Sequence, residues 1–246
     1  FNKYSFYKIG QFHNKYQLFY YILFLGSHLM KYIVYDKIRV KVYKEFIMKH
    51  LIESFKRVYD HQNNLRVFFS PGRINIIGEH IDYNGGLVFP AAISIGTYGV
   101  VSARSDQKIR MFSHNYKDDG ILNIDLNQLD YNPDHGWANY AKGILDYLIK
   151  KRYELPFGFD LYVEGNLPTA SGLASSASLE VLISYIANEL YHLNLSRVDM
   201  ARLSQVVENE YMGMHCGIMD QLIIACGIKG KALLMNTKTL EIKESN

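Results

Sequence analysis

The chain has 246 residues, of which 48% are hydrophobic and 21% are charged, and this composition excludes the disordered and fibrous classes of protein. Its net charge of +3 is unevenly distributed, because residues 1–47 hold eight basic and two acidic residues, which leaves 19 basic and 22 acidic residues from Met48 onward. A mildly acidic body without a basic face excludes nucleic acid as the expected partner.

Cysteine usage and hydropathy predict the compartment. The two cysteines, Cys216 and Cys226, lack the spacing of a zinc site and are too few for a disulfide framework, so we expect free thiols in a reducing cytoplasm. The apolar run at residues 18–25 is far shorter than the roughly 20 residues that cross a bilayer, and no small-residue cleavage site follows it. We expect a cytoplasmic protein with no membrane partner, and we expect it to be a monomer.

Residues 1–47 form an aromatic-rich extension that contains eight of the twenty Tyr and six of the thirteen Phe. They show no sustained helical or strand period. Either the stretch is a genuine extension that packs on something, or translation begins at Met48 and the stretch is read through from upstream DNA. The composition favours the second interpretation. We therefore expect residues 1–47 to lie outside the fold and residues 48–246 to form one domain.

From Met48 onward, hydrophobic periodicity predicts alternating groups of strands and helices. An amphipathic helix is predicted first, through Leu51, Phe55 and Tyr59. Strands are predicted at residues 66–70, 87–95, 97–105, 108–113, 121–126 and 159–164, with a turn at 71–72. Helices are predicted at 137–150, from a turn after 168 to about 190, at 199–211 and at 219–226. A closing hairpin is predicted at 232–243. This order indicates a mixed α/β fold of the α+β type, in two layers.

The first motif is a run of polar side chains around an apolar centre, and it spans residues 70–86 with the sequence SPGRINIIGEHIDYNGG. Arginine, glutamate, histidine, aspartate and asparagine follow one another around three isoleucines that predict a buried strand. A carboxylate accepts hydrogen bonds from two sugar hydroxyls and an arginine binds an anion, so the set fits a site where a sugar and a phosphate meet. An exposed polar turn with an internal salt bridge explains the same residues.

The second motif is a run of small residues that leads into a helix, and it spans residues 168–180 with the sequence PTASGLASSASLE. Small residues let the backbone approach a ligand closely. The unpaired N–H groups and the positive end of the following helix would then attract phosphates. An ordinary serine-capped helix start is the alternative interpretation.

The third motif spans residues 208–221 with the sequence ENEYMGMHCGIMDQ. Asp220 lies among apolar neighbours and is expected to be partly desolvated, and such a carboxylate is costly unless it is paired or functional. A charge that stabilises a helix N-terminus is the alternative. His215 and Cys216 have no partners at metal-ligand spacing, so we expect them to have packing roles.

These three segments resemble the motifs of the galactokinase family, which belongs to the GHMP kinases. The first is similar to the signature GRVNLIGEHTDYNGG, the second to the phosphate-binding motif PxGxGLSSSA, and the third to CGIMDQ with an upstream ENE. The resemblance runs from Met48 to about Asn246. It implies a GHMP-kinase N-terminal domain without the C-terminal domain, and a kinase that uses ATP and Mg²⁺ to phosphorylate galactose at its anomeric hydroxyl.

The resemblance also implies a role for each matching residue. Asp220 is the expected catalytic base, and Arg73 is expected to stabilise Asp220 and the transferring phosphoryl group. The residues implied to bind galactose are Glu79, His80, Ile81, Asp82 and Gly217. The residues implied to bind the phosphates of ATP are Ala170, Ser171, Gly172, Leu173, Ala174, Ser175 and Ser176. The residues implied to bind magnesium are Ser176 and Glu208.

The second motif departs from the family pattern, because Ala170 and Ser171 stand where glycines are usual and Ala174 replaces the first serine. These changes favour one alternative, a non-catalytic homologue that senses galactose. An N-acetylgalactosamine kinase of the same family is another, although residues 84–86 (NGG) favour galactose. The presence of Arg73 and Asp220, together with the magnesium ligands, favours the kinase.

Overall fold

The computed structural model describes residues 33–61, 64–168 and 171–245, and it has the mixed α/β fold that the sequence predicts. The chain divides into two units, Phe1–Lys49 and His50–Asn246. The helices of the described part are α1 (Ile33–Tyr59), α2 (Ala138–Lys150), α3 (Ser175–Tyr191), α4 (Arg197–Val206) and α5 (Met219–Cys226). The strands are β1 (Arg66–Asn75), β2 (Leu87–Val88), β3 (Pro90–Ala103), β4 (Lys108–Ser113), β5 (Leu122–Asp125), β6 (Phe159–Gly165), β7 (Leu233–Asn236) and β8 (Ile242–Glu244). No described helix combines the length and the apolar content that a membrane span needs.

The main sheet has five strands in the order β1-β3-β6-β4-β5. Neighbouring strands are antiparallel except for β6 and β4, which are parallel. β1 is an edge strand, and its register against β3 shifts between Pro71 and Arg73. An edge position tolerates a proline, which has no N–H to donate, and such an irregularity re-aims the side chains that follow it. A smaller sheet has the order β2-β7-β8.

The helices α2 to α5 and the main sheet form the two layers that the sequence predicts. Val101 and Leu161 of the sheet are fully buried in one apolar cluster with Ile144 of α2 and Leu182 of α3. A second cluster joins α5 to the small sheet through Val88, Leu222, Ile223, Leu233 and Met235. Each such aliphatic side chain contributes about 1.5–3 kcal/mol when it is fully buried. The two clusters thereby fix α3 and α5, the helices that carry Ser176 and Asp220.

The N-terminus of α4 is closed by a reciprocal capping box. The Ser196 hydroxyl accepts from the backbone N–H of Asp199 over 3.1 Å, and the Asp199 carboxylate accepts from the backbone N–H of Ser196 over 3.3 Å. Two donors that the helix leaves unpaired are satisfied in this way. At its other end, α4 passes into a π-helical turn, Val207–Tyr211. That turn carries Glu208, and π-helical turns are frequent at functional sites.

Four predictions of local structure are wrong. The isoleucines at the centre of the first motif, predicted to form a buried strand, are exposed: Ile74, Ile76 and Ile77. The turn predicted at residues 71–72 is part of β1, because an edge strand accommodates the proline at a shift in register. The helix predicted at 199–211 ends at Val206, where the π-helical turn widens the hydrogen-bonding pattern. Residues 33–47, predicted to have no period, are helical, and they contain no Gly or Pro that would interrupt α1. The remainder of the predicted extension, residues 1–32, lies outside the described residues.

Candidate active site

The centre of the site is a two-point ion pair between Arg73 and Asp220. Arg73 lies near the end of β1, and Asp220 lies in the first turn of α5. The guanidinium donates from Nε to Oδ1 over 2.7 Å and from Nη2 to Oδ2 over 2.5 Å. A bidentate pair of this kind fixes the orientation of both side chains. The first and third motifs, which are distant in sequence, therefore meet at this pair.

The electrostatic environment of Asp220 raises its pKa. Burial is the largest cause, the hydrogen bonds and charge of Arg73 oppose it, and the negative charges of Asp82 and Glu208 add to it. A carboxylate with a raised pKa is a stronger base than an exposed aspartate. The position of Asp220 thus combines a fixed orientation with increased basicity.

Arg73 also binds the loop of the second motif. Its Nη1 donates to the backbone carbonyl of Gly172, and its backbone N–H donates to the carbonyl of Leu173 over 3.2 Å. Gly172 has a φ of 66°, in the left-handed region that glycine adopts without strain. The loop is therefore attached to β1 through the same residue that orients Asp220. One arginine joins all three motifs.

The loop ends at an uncapped helix N-terminus. Ala174 occupies the N-cap position of α3 with φ 61° and ψ 54°, and no side chain caps the helix there. The first N–H groups of α3, beginning with Ser175, are consequently available to an anion. Ser171 holds the preceding turn, because its hydroxyl donates to the carbonyl of Pro168 over 2.7 Å. Ala170, also predicted to bind phosphate, lies outside the described residues.

Ser176 and Glu208 contact each other directly. The Ser176 hydroxyl donates to Oε1 of Glu208 over 2.7 Å, and Nε2 of Gln221 donates to Oε2 of the same carboxylate over 2.7 Å. The Cys216 thiol lies 3.6 Å from that second oxygen, and burial raises the pKa of the thiol to about 12. Glu208 is buried, so these contacts replace the water that an exposed carboxylate would bind. The two residues predicted to bind magnesium are therefore brought together.

A further buried acid, Glu180, lies beside this pair. It follows Ser176 by one turn of α3 and is fully buried. Neither of its carboxyl oxygens accepts a hydrogen bond from a donor among the described residues. Burial, with the adjacent Glu208 carboxylate as a smaller cause, raises the pKa of Glu180 to about 10. Oε1 of Gln221 is buried without a donor as well.

The donors present fit a magnesium ion that binds together with a nucleotide. Within the described ranges, no group of three or more His, Cys, Asp or Glu side chains is arranged to hold a metal ion. Ser176 and Glu208 nevertheless supply two hard oxygen donors, and Mg²⁺ is commonly bound by one or two carboxylates with phosphates and water in the other positions. The buried oxygens of Glu180 are further polar atoms without a partner beside this pair.

The predicted sugar-binding residues follow the end of β1 on an exposed segment. Glu79 and His80 are exposed, and His80 has a φ of 59°, a strained value for a residue other than glycine. The side-chain amide of Asn84 donates to the carbonyl of His80 over 3.2 Å and holds this conformation. Ile81 packs against Gly86, where an added Cβ would lie 2.3 Å from Cγ2 of Ile81. The segment presents polar groups on a backbone that is held in place.

Asp82 and Gly217 pack directly against each other. A Cβ added to Gly217 would lie 2.1 Å from Oδ2 of Asp82, so only glycine leaves room for this carboxylate. Both residues line a cavity of about 550 Å³, which also includes Gln205, Arg202 and Lys238. A cavity of this size is in the range that binds small molecules. The structure thus brings Asp82 and Gly217 together, whereas Glu79 and His80 lie on the exposed segment.

Two regions of the chain match models of known protein families. Residues 139–228 match the N-terminal domain of the GHMP kinases, and residues 53–103 match the galactose-binding signature of galactokinases. The chain belongs to the GHMP kinase family. The second and third motifs lie within or next to the first matched region, and the first motif lies within the other.

The relatives of this GHMP kinase chain include bacterial galactokinases. The chain is 45% identical over 195 residues to the galactokinase of Staphylococcus saprophyticus, which covers 79% of the chain and 50% of the relative. It is 51% identical over 176 residues to the galactokinase of Levilactobacillus brevis, and this alignment covers 72% of the chain and 46% of the relative. The structure of Lactococcus lactis galactokinase complexed with galactose is similar with a TM-score of 0.78 and 42% identity, covering 80% of the chain and 51% of that protein. The chain spans about half the length of the curated relatives it matches.

A more distant neighbour of this GHMP kinase chain shows the fold alone. The mevalonate kinase of Methanococcus jannaschii has a TM-score of 0.62 at 21% identity, and it covers 76% of the chain and 57% of that protein. The predicted fold class and the predicted resemblance to galactokinases are therefore confirmed.

Sequence reasoning missed two members of the GHMP kinase site, Gln221 and Glu180. Gln221 follows Asp220 directly. Its hydrogen bond with Glu208 could not be predicted from sequence spacing, because the two residues belong to separate elements. Glu180 had a visible signal. It is an acid in an otherwise apolar stretch of α3, and it stands four residues after Ser176, on the same helix face.

Proposed function

We propose that this chain is the part of a galactokinase that binds galactose and MgATP and brings their reacting groups together. The reaction is transfer of the γ-phosphoryl group of ATP to the anomeric hydroxyl of galactose. The observation that carries the proposal is the two-point pair between Arg73 and Asp220, which is attached to the phosphate-binding loop through Gly172 and Leu173. Phosphoryl transfer depends mainly on positioning and charge compensation, and this arrangement supplies both.

Asp220 is the proposed base. It accepts the proton of the anomeric hydroxyl, and its raised pKa favours that step. Arg73 keeps the carboxylate oriented toward the sugar and balances the negative charge that spreads over the transferring oxygens. The uncapped N-terminus of α3, together with residues 170–176, binds the phosphates through backbone N–H groups.

The sugar is proposed to bind through Glu79, His80, Ile81, Asp82 and Gly217. Asp82 accepts hydrogen bonds from sugar hydroxyls, and Gly217 leaves the space in which its carboxylate lies. The relatives that are similar to this chain are named galactokinases, and one similar structure is a complex with galactose. These names support galactose as the substrate.

Ser176 and Glu208 are proposed to hold Mg²⁺. The bound ion neutralises charge on the phosphates of ATP. A buried carboxylate and a partly buried hydroxyl at this position, beside the N-terminus of α3, support the assignment. A cytoplasmic location and a monomeric state stay predictions.

The test uses the gene expressed with its natural downstream reading frame, assayed for ADP release with galactose and MgATP. Asp220→Asn keeps the shape of the side chain and removes the base, so kcat falls about 10³-fold while galactose affinity stays within about threefold. Galactose affinity is measured separately by calorimetry. The matched control is Asp118→Asn, which changes an exposed aspartate on a surface turn and leaves kcat unchanged.

Two results contradict the proposal. An Asp220→Asn protein that turns over at the rate of the unchanged protein excludes Asp220 as the base. An unchanged protein that binds galactose but releases no ADP is a sugar sensor. Phosphorylation of N-acetylgalactosamine in preference to galactose would contradict only the proposed substrate.

The domain boundary is a separate proposal. We propose that the functional unit starts near Met48, because Leu51, Phe55 and Tyr59 of α1 are buried in the unit that begins at His50. A chain that starts at Met48 keeps these three side chains. Its galactose affinity by calorimetry equals that of the longer chain, and a loss of binding would place the boundary earlier.

A further inference from the structure

Thr237 directly follows β7, and the proposed reaction gives it no role. Its backbone N–H donates to the carbonyl of Gly86 over 2.9 Å, which extends the pairing of β2 with β7 by one residue. Its hydroxyl accepts from the backbone N–H of Gly86 over 3.0 Å and donates to the carbonyl of Gly86 over 3.2 Å. Both polar groups of the Gly86 backbone are therefore held by one buried threonine.

The turn that carries Thr237 is itself held in place. The side-chain Oδ1 of Asn236 accepts from the backbone N–H groups of Lys238 and Thr239, over 3.0 Å in each case. The preceding strand, β7, has two side chains that are fully buried in the second apolar cluster. Thr237 therefore connects Gly86 to the packed small sheet.

Gly86 in turn fixes the segment that carries Asp82. The side chain of Ile81 packs against Gly86, where an added Cβ would lie 2.3 Å from Cγ2 of Ile81. The backbone N–H of Asn84 donates to the carbonyl of Ile81 over 3.0 Å, so the turn between them is closed. Asp82 directly follows Ile81 and lies within this closed turn. A shift of Gly86 consequently moves Asp82 relative to Gly217.

We propose that Thr237 is a positioning residue for the sugar, and that its hydroxyl holds Gly86 and thereby keeps the Asp82 carboxylate against Gly217. The inference rests on the proposed assignment of Asp82 to galactose. It adds a residue that lies outside the three motifs, at the end of a strand of the small sheet. Thr237 lines the same cavity as Asp82 and Gly217, and its hydroxyl proton is donated to Gly86.

The hydroxyl of Thr237 supplies a contact that backbone pairing does not. Without it, the N–H of Gly86 loses this acceptor, and a polar group left unpaired favours a shift of the segment toward water. The place of Asp82 allows little movement, because a Cβ added to Gly217 would lie only 2.1 Å from Oδ2 of Asp82. A misplacement of about 1 Å at a site can cost about 100-fold in rate.

The test measures galactose affinity by calorimetry on the protein expressed with its natural downstream reading frame. Thr237→Val keeps the shape of the side chain and removes the hydroxyl, so affinity falls about tenfold. Thr237→Ser keeps the hydroxyl, and affinity stays within about threefold of the unchanged protein. The matched control is Thr239→Val, which changes an exposed threonine of the same turn whose hydroxyl accepts from Glu241, and it leaves affinity unchanged. Thr237→Ala serves the same comparison if the Val variant does not fold.

Two further measurements separate positioning from a purely structural role. In the ADP-release assay, Thr237→Val raises KM for galactose about tenfold and leaves KM for ATP within about threefold, whereas a general loss of structure would raise both. In a protein that already carries Asp82→Ala, Thr237→Val lowers galactose affinity by less than about threefold. The two losses do not add, because the carboxylate that Thr237 positions is then absent.

The outcomes distinguish this inference from the proposed function. If Asp82→Ala weakens galactose binding and Thr237→Val does not, the role of Thr237 is wrong and the assignment of Asp82 stands. If Thr237→Ser is as weak as Thr237→Val, or if the losses in the double variant add, positioning of Asp82 through the hydroxyl is wrong. If Asp82→Ala has no effect on galactose affinity, the assignment of Asp82 and the inference fail together.

Discussion

Two buried acids in this chain have opposite surroundings. Asp160 of β6 accepts from Arg104 over 3.0 Å, from Arg110 over 2.6 and 2.7 Å and from His61 over 2.7 Å. Glu180 of α3 has no donor among the described residues. Burial by itself raises the pKa of Asp160, but its three partners hold that pKa below the ordinary value, whereas the pKa of Glu180 is raised to about 10.

The presence or absence of donors around a buried acid separates charges that stabilise the fold from charges of the candidate site. The Asp160 carboxylate has its partners within the protein, as expected for a charge that stabilises packing. The group around Glu180, Glu208 and Gln221 is incomplete, as expected for a place that a ligand completes. In this molecule, unpaired buried oxygens close to Ser176 are a stronger indication of function than the presence of acids.

The largest effect on the free energy of unfolding is expected from disrupting the ion cluster around Asp160. Asp160→Ala leaves Arg110 and His61 without their carboxylate partner and Arg104 with Asp106 only. Removing one member of a buried ion cluster costs about 3–5 kcal/mol, so the free energy of unfolding in urea falls by that amount. Asp146→Ala, which removes a pair between a partly buried aspartate and the exposed Lys150, changes it by about 1 kcal/mol or less. Equal losses in the two variants would show that the cluster is not a stabilising one.

The pH dependence of stability should differ in sign between the two acids. The folded pKa of Asp160 lies below its unfolded value, so its contribution is present above about pH 4 and is lost as pH falls through the folded pKa. The folded pKa of Glu180, about 10, lies above its unfolded value, so wild-type stability falls as pH rises from about 4.5 toward 10. Urea unfolding at several pH values therefore gives Glu180→Gln an advantage over the unchanged chain that grows with pH. A constant difference between pH 5 and 9 would contradict the raised pKa.

Much of the fold could be predicted because its signals are local. The strand at Lys108–Ser113 and the helix at Met219–Cys226 have the predicted bounds, since periodicity over a few residues determines them. The pairing of Arg73 with Asp220 could be expected only from resemblance, because it joins residues that packing of separate elements brings together. The strand through Pro71 was not predicted, because a strand tolerates a proline at the edge of a sheet. The local sequence does not reveal that β1 is an edge strand.

A smaller effect is expected where the site depends on empty space. Gly217→Ala puts a Cβ where Oδ2 of Asp82 lies, so the carboxylate must move. If Asp82 binds the sugar as proposed, the loss of its charge-assisted hydrogen bond costs about 1.5–3 kcal/mol, and galactose affinity by calorimetry falls by about 10- to 150-fold. Gly165→Ala is the matched control, because its Cβ would find its nearest neighbour at an ordinary 3.5 Å. Unchanged affinity in Gly217→Ala would remove Asp82 from the sugar site.

The smallest effect is expected for two Ala→Gly variants at the start of α3, at Ala174 and Ala177, whose stabilities compare backbone strain with helix propensity. Ala174 has a φ of 61°, which costs an alanine roughly 1–2 kcal/mol, whereas Ala177 lies within α3. Ala174→Gly relieves that strain of roughly 1–2 kcal/mol, but the greater entropy of the unfolded chain costs roughly 0.4–1 kcal/mol, so the net result is a gain of about 0–1.6 kcal/mol. Ala177→Gly loses about 1–2 kcal/mol, because it has the entropic cost and also removes a methyl group that is buried in the second apolar cluster. Thermal unfolding of both variants measures the contrast. If Ala174→Gly loses as much stability as Ala177→Gly, the loop that ends at Ala174 stores no strain. The left-handed turn into α3 would then be an unstrained helix start.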